Sequence, residues 1–551
     1  MSHSQAMPDS HTDITRPPDL KKKSGTGPIR LHQPIYQNSI PPCNHACPAG
    51  ENIQAWLSLA QAQRFEEAWL TLINDNPLPG VHGRVCYHPC ESSCNRAHVD
   101  DAVSIHAVER FLGDMAVENA WKPVVEAKAS GKKILIVGAG PSGLSAAWHL
   151  RRLGHEVEIH EAGPLVGGMM RFGIPAYRLP RDVLEAEVQT IRDIGVTIHL
   201  NRKVEDVLET RKEGGFDAVF MAVGAHLAKK IDIPAREAGK ILDAVSYLAS
   251  VEAGEAPKLG RRVAIYGGGN TAMDAARTAK RMGAEEAMII YRRDREHMPA
   301  HDFEAVEAEE EGIKINWLRT IRQIDNSDFQ VEVMEIDANG RPQATGKFET
   351  LEVDSLVLAL GQDVDSSILE SIPGVKLAWD GVVEVGPNMM TGADGIFAGG
   401  DMVPSERTVT IATGHGKKAA RHIDAWLRGR LYHKENPQPS VDFNGLHLWY
   451  HTDAQRRQQS ELPAQQRNTD FREVISGLSE EQALFESARC YSCGNCFECD
   501  GCYGACPENA IIKLGKGKGY KIDYESCTGC EACFLQCPCH AIEMVDVGSQ
   551  S

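Results

Sequence analysis

Apolar residues recur at helical spacing from Ile53 to Ile73, with Trp56, Leu57, Leu59, Phe65, Ala68 and Trp69 on the pattern, and again from Val103 to Asn119. Both stretches predict helices, and together they predict a small helical domain near the start of the chain. From about residue 131 the texture changes to short apolar runs, each followed by an alanine-rich stretch. Ile134–Val137 and Val263–Tyr266 each enter a glycine-rich turn and then a helical pattern, so two dinucleotide-binding folds are expected in one chain. Val157–His160 and Met288–Tyr291 read as the next strand in each. Residues 1 to 40 are rich in Ser, Thr, Pro and His without a period. They predict an extended arm.

The expected fold is therefore a multidomain mixture of α+β and α/β units. Its divisions are a flexible arm over 1–35, a helical iron-sulfur domain over 36–125, and the first part of an FAD-binding domain over 126–245. An NAD(P)H-binding domain over 246–365 and the second part of the FAD domain over 366–430 follow. A linker over 431–485, rich in Gln, Arg, Glu and His, is expected to hold some helix, and its aromatic stretch Leu446–Tyr450 to pack on a neighbour. A ferredoxin-like unit covers 486–551.

Composition narrows the function. A formal charge of -18 disfavours nucleic acid as the main partner, because phosphate contacts need concentrated Lys and Arg. The first 25 residues are polar, with no apolar run of signal-peptide or membrane-spanning type, so a cytoplasmic location with no membrane span is expected. The sixteen cysteines are uneven: five fall at Cys43, Cys47, Cys86, Cys90 and Cys94, and eleven crowd between Cys490 and Cys539. Thiols at both ends of a long chain suit metal sites in a reducing compartment better than a disulfide scaffold.

In the first nucleotide unit, Gly138, Gly140 and Gly143 follow the strand, where glycines permit a tight turn, close approach to a pyrophosphate and close helix packing. Glu161 ends the next strand, placed to accept both hydroxyls of an adenosine ribose. Gly167, Gly168, Gly173 and Pro175 suggest a close backbone passage, with Gly168 and Arg178 as cofactor contacts and Arg181 available for charge or capping. Further on, Gly399, Gly400 and Asp401 follow a short apolar run. Asp401 is placed for a ribityl hydroxyl, and the helix after it aims its positive end at a flavin.

The second unit carries Gly267, Gly269 and Ala272, the GxGxxA variant of the same turn. Its following strand ends in Arg292 and Arg293, not in an acid. Two guanidinium groups there favour a 2'-phosphate and so NADP(H), while Asp294 just beyond leaves NAD(H) open. Hydride transfer between nicotinamide and flavin needs positioning and no protein nucleophile, so no catalytic acid or base is assigned. His301 and Glu304 read as surface residues.

The C-terminal cysteines repeat the C-x2-C-x2-C-x3-C-P spacing of two-cluster bacterial ferredoxins. By that pattern Cys496, Cys499, Cys502 and Cys537 hold one [4Fe-4S] cluster, and Cys506, Cys527, Cys530 and Cys533 the other. A one-step shift in ligand register stays open, because the first run repeats every three residues from Cys490. Cys490, Cys493 and Cys539 are left over. Lys513, Lys516, Lys518 and Lys521 lie between the halves, either as a contact for an acidic protein or as a solvated hairpin.

Residues 40 to 430 resemble the small, flavin-containing subunit of glutamate synthase and related modules, including the N-terminal part of dihydropyrimidine dehydrogenase. The resemblance rests on CNHACP, GRVCYHPCESSC, VSIHAVERF, VGAGPSGLSAA, FGIPAYRLPR, GGGNTAMDAAR, YRR and AGGD. It implies iron-sulfur clusters beside FAD, with NADPH on the opposite face of the flavin. It places the proximal cluster on Cys47, Cys90 and Cys94, with Glu109 as a non-cysteine fourth ligand. A usual second cluster matches only Cys43 and Cys86 and wants two further cysteines upstream. With its ferredoxin-like tail, the whole chain is similar to pyridine-nucleotide-linked subunits of 2-oxoacid:ferredoxin or phenylglyoxylate oxidoreductase complexes. The expected cofactors are FAD, NADP(H) and at least three [4Fe-4S] clusters, with ferredoxin or other subunits of a larger complex as partners. The alternatives are an NADPH-dependent glutamate synthase small subunit and a wiring subunit without nicotinamide turnover.

Overall fold

The apolar runs before the two nucleotide-type glycine turns, in strands Lys133–Val137 and Arg262–Tyr266, form inner strands of parallel sheets, buried on both faces as such strands must be. The computed structural model describes residues 30–229, 233–236, 240–433, 438–449 and 451–547. In the first sheet the order is Ile396–Ala398, Ala218–Met221, Lys133–Val137, Glu156–His160 and Thr197–His199, all parallel. Helices Pro141–Arg152 and Val409–Leu427 pack against each other beside it.

The second sheet runs Lys314–Trp317, Glu286–Tyr291, Arg262–Tyr266, Ser355–Leu358 and Lys240–Asp243, again all parallel. It is inserted into the first unit. The outgoing and returning chains pair antiparallel as Leu227–Ala228 with Gln362–Asp363. Strand Lys240–Asp243 already belongs to the inserted unit, which therefore starts before the boundary expected at 245 and 246. A mostly antiparallel sheet, containing Arg319–Asp325, Asp328–Ile336 and Pro342–Glu352, rests on its far side.

The N-terminal region is helical over Ile53–Gln61, Phe65–Ile73, Pro79–Val85 and Ile105–Glu118. The period that predicts one helical stretch from 53 to 73 is split at 62–64, where Gln63 adopts a positive φ of 58°. Helix Glu480–Ala488, closed by a capping box between Ser479 and Gln482, packs on two of these helices. Nearby, Leu446 is buried with Val441 and Tyr491, whereas Trp449 is exposed and Tyr450 lies outside the described residues.

The C-terminal unit has two short antiparallel pairs. Ile511–Lys513 pairs with Tyr520–Ile522 beneath the lysine-rich turn, and Lys513 ion-pairs with Asp500 at 2.8 Å. The other pair departs from the expected arm. Residues 1–29 of that arm lie outside the described residues, but His32–Tyr36 forms a strand against Ile542–Asp546. Its partner is too distant in sequence for local pattern to announce it. The protein is thus a multidomain α/β molecule with two Rossmann-like parallel sheets and a small C-terminal sheet. No helix among the described residues is long and apolar enough to cross a membrane.

Candidate functional site: a shared nucleotide cleft and its thiol groups

The turn after Lys133–Val137 is shaped by what a side chain would hit. Gly138 has φ +105°, and a Cβ there would lie 2.4 Å from the carbonyl oxygen of Ala222. Gly140 is the reverse case. It precedes helix Pro141–Arg152, and a Cβ there would meet nothing within 4 Å, so the space at the helix start is open for a phosphate group. Glu161 accepts hydrogen bonds from the amides of Ala139 and Gly163, both at 2.8 Å, and so anchors the loop. Gly168 passes close to Gly140, and Gly400 close to Ser142. Burial pushes the Asp401 carboxyl up to about 6, with Arg407 opposing.

The second turn repeats this construction. Gly267 has φ +150°, with a Cβ position 2.2 Å from the Ala359 carbonyl oxygen, whereas Gly269 opens helix Asn270–Arg281 onto free space. Ala272 is buried on that helix. Gly138, Gly140, Glu161, Gly168, Gly400 and Asp401 share one cleft of about 880 Å³ with Gly269, Asn270 and Asp274. Two open helix starts on one cleft fit two phosphate-bearing cofactors facing each other.

Arg292 is exposed and Arg293 partly buried, both directly after strand Glu286–Tyr291. Asp294 is turned back onto its own loop, accepting from the His297 amide at 3.1 Å and paired with its ring Nδ1 at 2.6 Å.

Arg178 departs from its expected role. It lines the cleft, but its Nη1 donates to both carboxylate oxygens of Asp274, and its Nη2 lies 2.7 Å from Glu304. Its charge ties the two nucleotide units together, so a cofactor contact is not its main engagement. Glu304 is likewise not a surface residue: it is buried, and burial pushes its carboxyl up to about 7 against the pull of Arg178. Tyr87, missed in the sequence, also lines the cleft. Its ring stacks on His301 with centroids 3.8 Å apart, and its hydroxyl accepts from Asn270 and donates to Glu304. Its position directly after Cys86 is the only sequence signal.

The thiols fall into four neighbourhoods. Cys47 has Glu51, Glu109 and Cys86 among its charged or thiol neighbours, and Cys90 has Glu91, Cys86, Cys47 and Cys43. Glu109 is buried, accepts from Asn76 Nδ2 at 2.8 Å, and sits with Glu51 and His82. Burial, then Glu51 and then Cys86 hold its carboxyl well above the usual range. Cys86 thus stands where the resemblance places Cys94. Cys94 instead faces Cys43, Cys490 and Cys493. The docking of helix Glu480–Ala488 brings the last two cysteines to that side.

In the C-terminal unit, burial and its neighbours Cys502, Cys537 and Cys499 push Cys496 up to about 11. Tyr36, from the first strand, lies with its hydroxyl 3.3 Å from Cys502 Sγ. Cys506, Cys527, Cys530 and Cys533 line one small cavity closed by Pro34. Cys539 lies 3.8 Å from Cys537, sulfur to sulfur. Thiols in these numbers, grouped and without disulfides, fit iron-sulfur clusters.

Comparison with known proteins agrees with this layout. Residues 132–416 match the pyridine nucleotide-disulphide oxidoreductase family. Residues 36–121 match the 4Fe-4S cluster domain II of dihydropyrimidine dehydrogenase, and residues 520–543 a 4Fe-4S binding domain. The NADP(+)-dependent formate dehydrogenase subunit beta of Moorella thermoacetica is 34% identical over 82% of this chain and 70% of its own. The NADPH-Fe(3+) oxidoreductase subunit beta of Geobacter sulfurreducens is 33% identical over 85% and 77%. The glutamate synthase [NADPH] small chain of Azospirillum brasilense is 34% identical over 72% and 88%.

Proposed function

The chain belongs to the pyridine nucleotide-disulphide oxidoreductase family, among FAD- and NAD(P)H-linked iron-sulfur subunits related to the glutamate synthase small chain, and we propose that it relays electrons between NADP(H) and iron-sulfur clusters through FAD. The observation that carries this reading is the single cleft onto which both glycine turns open. FAD supplies the chemistry that joins the two sides, because it exchanges a hydride pair with nicotinamide and single electrons with clusters.

The protein's own groups bind and orient. The first turn, Glu161 and Asp401 hold FAD, and the second turn with Ala272 holds the nicotinamide nucleotide. Arg292 and Arg293 select the 2'-phosphate, favoured because Asp294 is spent on His297. Cys47, Cys86, Cys90 and Glu109 form the flavin-side cluster site, a revision that exchanges Cys94 for Cys86. The ferredoxin-like unit carries two clusters, on Cys496, Cys499, Cys502 and Cys537 and on Cys506, Cys527, Cys530 and Cys533.

As a cytoplasmic subunit of a larger oxidoreductase complex, or in exchange with free ferredoxin, the protein couples this relay to a partner's substrate. Two relatives that match 82% and 85% of this chain are named as beta subunits of NADP(H)-linked oxidoreductases. They favour such a complex over glutamate synthase, whose small chain matches a shorter part of this chain.

Anaerobic stopped-flow mixing of the cofactor-loaded chain with NADPH and, separately, NADH tests the reading. Flavin bleaching by NADPH followed by cluster bleaching is the expected result. Equal or faster reduction by NADH would overturn the nucleotide preference. Absence of flavin reduction by both, at full cofactor occupancy, would leave only a wiring role.

A further inference from the structure

Two cysteines that precede the ferredoxin-type spacing have no place in either C-terminal cluster. They lie at the end of helix Glu480–Ala488, and that end is fixed unusually firmly. Arg489 ion-pairs with Glu486 at 2.9 Å and Asp100 at 3.0 Å, and it donates to the carbonyl oxygens of Ala102 and Asp101. Cys490, the next residue, packs with Cys43, Cys47 and Cys94 against the apolar core of the helical domain.

The following loop is held on the same surface. Gln54 Nε2 donates to Ser492 Oγ at 3.3 Å, Asn95 Nδ2 donates to Cys493 Sγ at 3.4 Å, and the Ser39 amide donates to the Gly494 carbonyl at 2.9 Å. Gly494 itself has φ +77°, and a Cβ there would come within 2.8 Å of Ser39 Cβ. The loop is therefore shaped to run close past the chain that leads to Cys43. The Ser492 amide also points at Cys490 Sγ, at 3.4 Å.

We propose that Cys43, Cys94, Cys490 and Cys493 form a further four-cysteine [4Fe-4S] site, with two ligands from each end of the chain. The sulfurs of Cys490, Cys94 and Cys493 are the thiol neighbours of Cys43. Four thiolates gathered on one side of the helical domain repel one another, and binding to cationic iron offsets that charge. The amide donors aimed at Cys490 and Cys493 are the kind of hydrogen bond that tunes cluster sulfur.

A single zinc ion is the obvious rival for four thiols. Tetrahedral zinc with bonds of about 2.3 Å brings its sulfurs to about 3.8 Å from one another. Among the described residues, the groups of three or more donor atoms all within 4.8 Å of one another contain no cysteine. The wider spacing suits a cluster core between the sulfurs.

The site also supplies a missing connection. Cys43 is joined to Cys47 of the flavin-side group by the short helix Pro42–Ala46, and Cys493 stands three residues before Cys496. Its place as a step between flavin and ferredoxin-like unit rests on the relay proposed above; the ligand set does not.

Iron, sulfide and zinc analysis of the anaerobically purified full chain, with EPR after dithionite reduction, provides the test. Four clusters give about sixteen iron per chain, and the Cys490→Ala/Cys493→Ala variant should hold about twelve, with flavin content unchanged. Cys43→Ala/Cys94→Ala should lose the same EPR signal. About twelve iron in the unaltered chain, one zinc lost with these cysteines, or loss of different signals by the two variants would each overturn the site. Should the double variants fail to accumulate, Cys490→Ser is expected to shift one cluster signal and leave the rest; an unchanged spectrum would count against the proposal. Dithionite acts without nucleotide, so sixteen iron in a chain that NADPH cannot reduce would sink the relay and leave this site standing.

Discussion

Arg178 Nη1 lies 2.9 and 2.8 Å from the two carboxylate oxygens of Asp274, joining a loop of the first nucleotide unit to helix Asn270–Arg281 of the second. Both side chains are largely buried. Stranding a buried charge costs roughly 3 to 5 kcal/mol, and because Arg178 keeps Glu304 as a second partner the loss of Asp274 should cost less than that. Asp274→Asn should lower the temperature of flavin release by several degrees, and Arg178→Lys, which keeps the charge without the fork, should fall between. An unchanged temperature in both variants would show that the pair does not hold the units together.

The two glycines of the second turn should respond oppositely to one methyl group. Gly267→Ala drives a Cβ to 2.2 Å from the Ala359 carbonyl oxygen at an unfavourable φ, and should destabilise the inserted unit. Gly269→Ala meets no protein atom within 4 Å and should fold normally. It should nevertheless weaken NADPH at least tenfold by filling the phosphate's space, with flavin content unchanged. Equilibrium nucleotide binding to the flavin-loaded variant would reveal either outcome.

Arg292→Ala/Arg293→Ala should raise the apparent Kd for NADPH by about tenfold to a hundredfold, the worth of one or two charge-assisted hydrogen bonds. The value for NADH should barely move. Parallel losses for both nucleotides would mean that the arginines do not read the 2'-phosphate.

Asp401 makes a pH prediction. Burial raises its carboxyl from 3.8 to about 6, so between those values the native state binds more protons than the unfolded chain. Its contribution to stability therefore falls as pH rises through that window and levels off above it. Relative to Asp401→Asn, the flavin-depleted protein should lose about 1 kcal/mol between pH 5 and pH 7 in denaturant titrations. A difference independent of pH would remove Asp401 as the titrating group.

The nucleotide turns were legible because every signal is local: an apolar strand, glycines at fixed offsets, then a helix. Gly138 and Gly267 sit in the tight turns after their strands, and Gly140 and Gly269 at the helix starts that open onto the cleft. Arg178 was ambiguous because Asp274 and Glu304, its partners, are about a hundred residues away and come close only after the two units dock. The division of the N-terminal thiols was hidden for the same reason. That Cys94 has Cys490 and Cys493 for neighbours depends on a helix near residue 480, of which the spacing within GRVCYHPCESSC carries no trace.

Strand His32–Tyr36 pairs with Ile542–Asp546, so the opening stretch of the chain is completed by nearly its last described residues. At about 5 to 20 residues per second, a ribosome needs on the order of 25 to 100 s to make the second strand after the first. Throughout that interval the early strand has a bare edge, open to pairing with another nascent chain. The finished protein's yield should therefore depend on folding assistance during synthesis more than that of its nucleotide units alone.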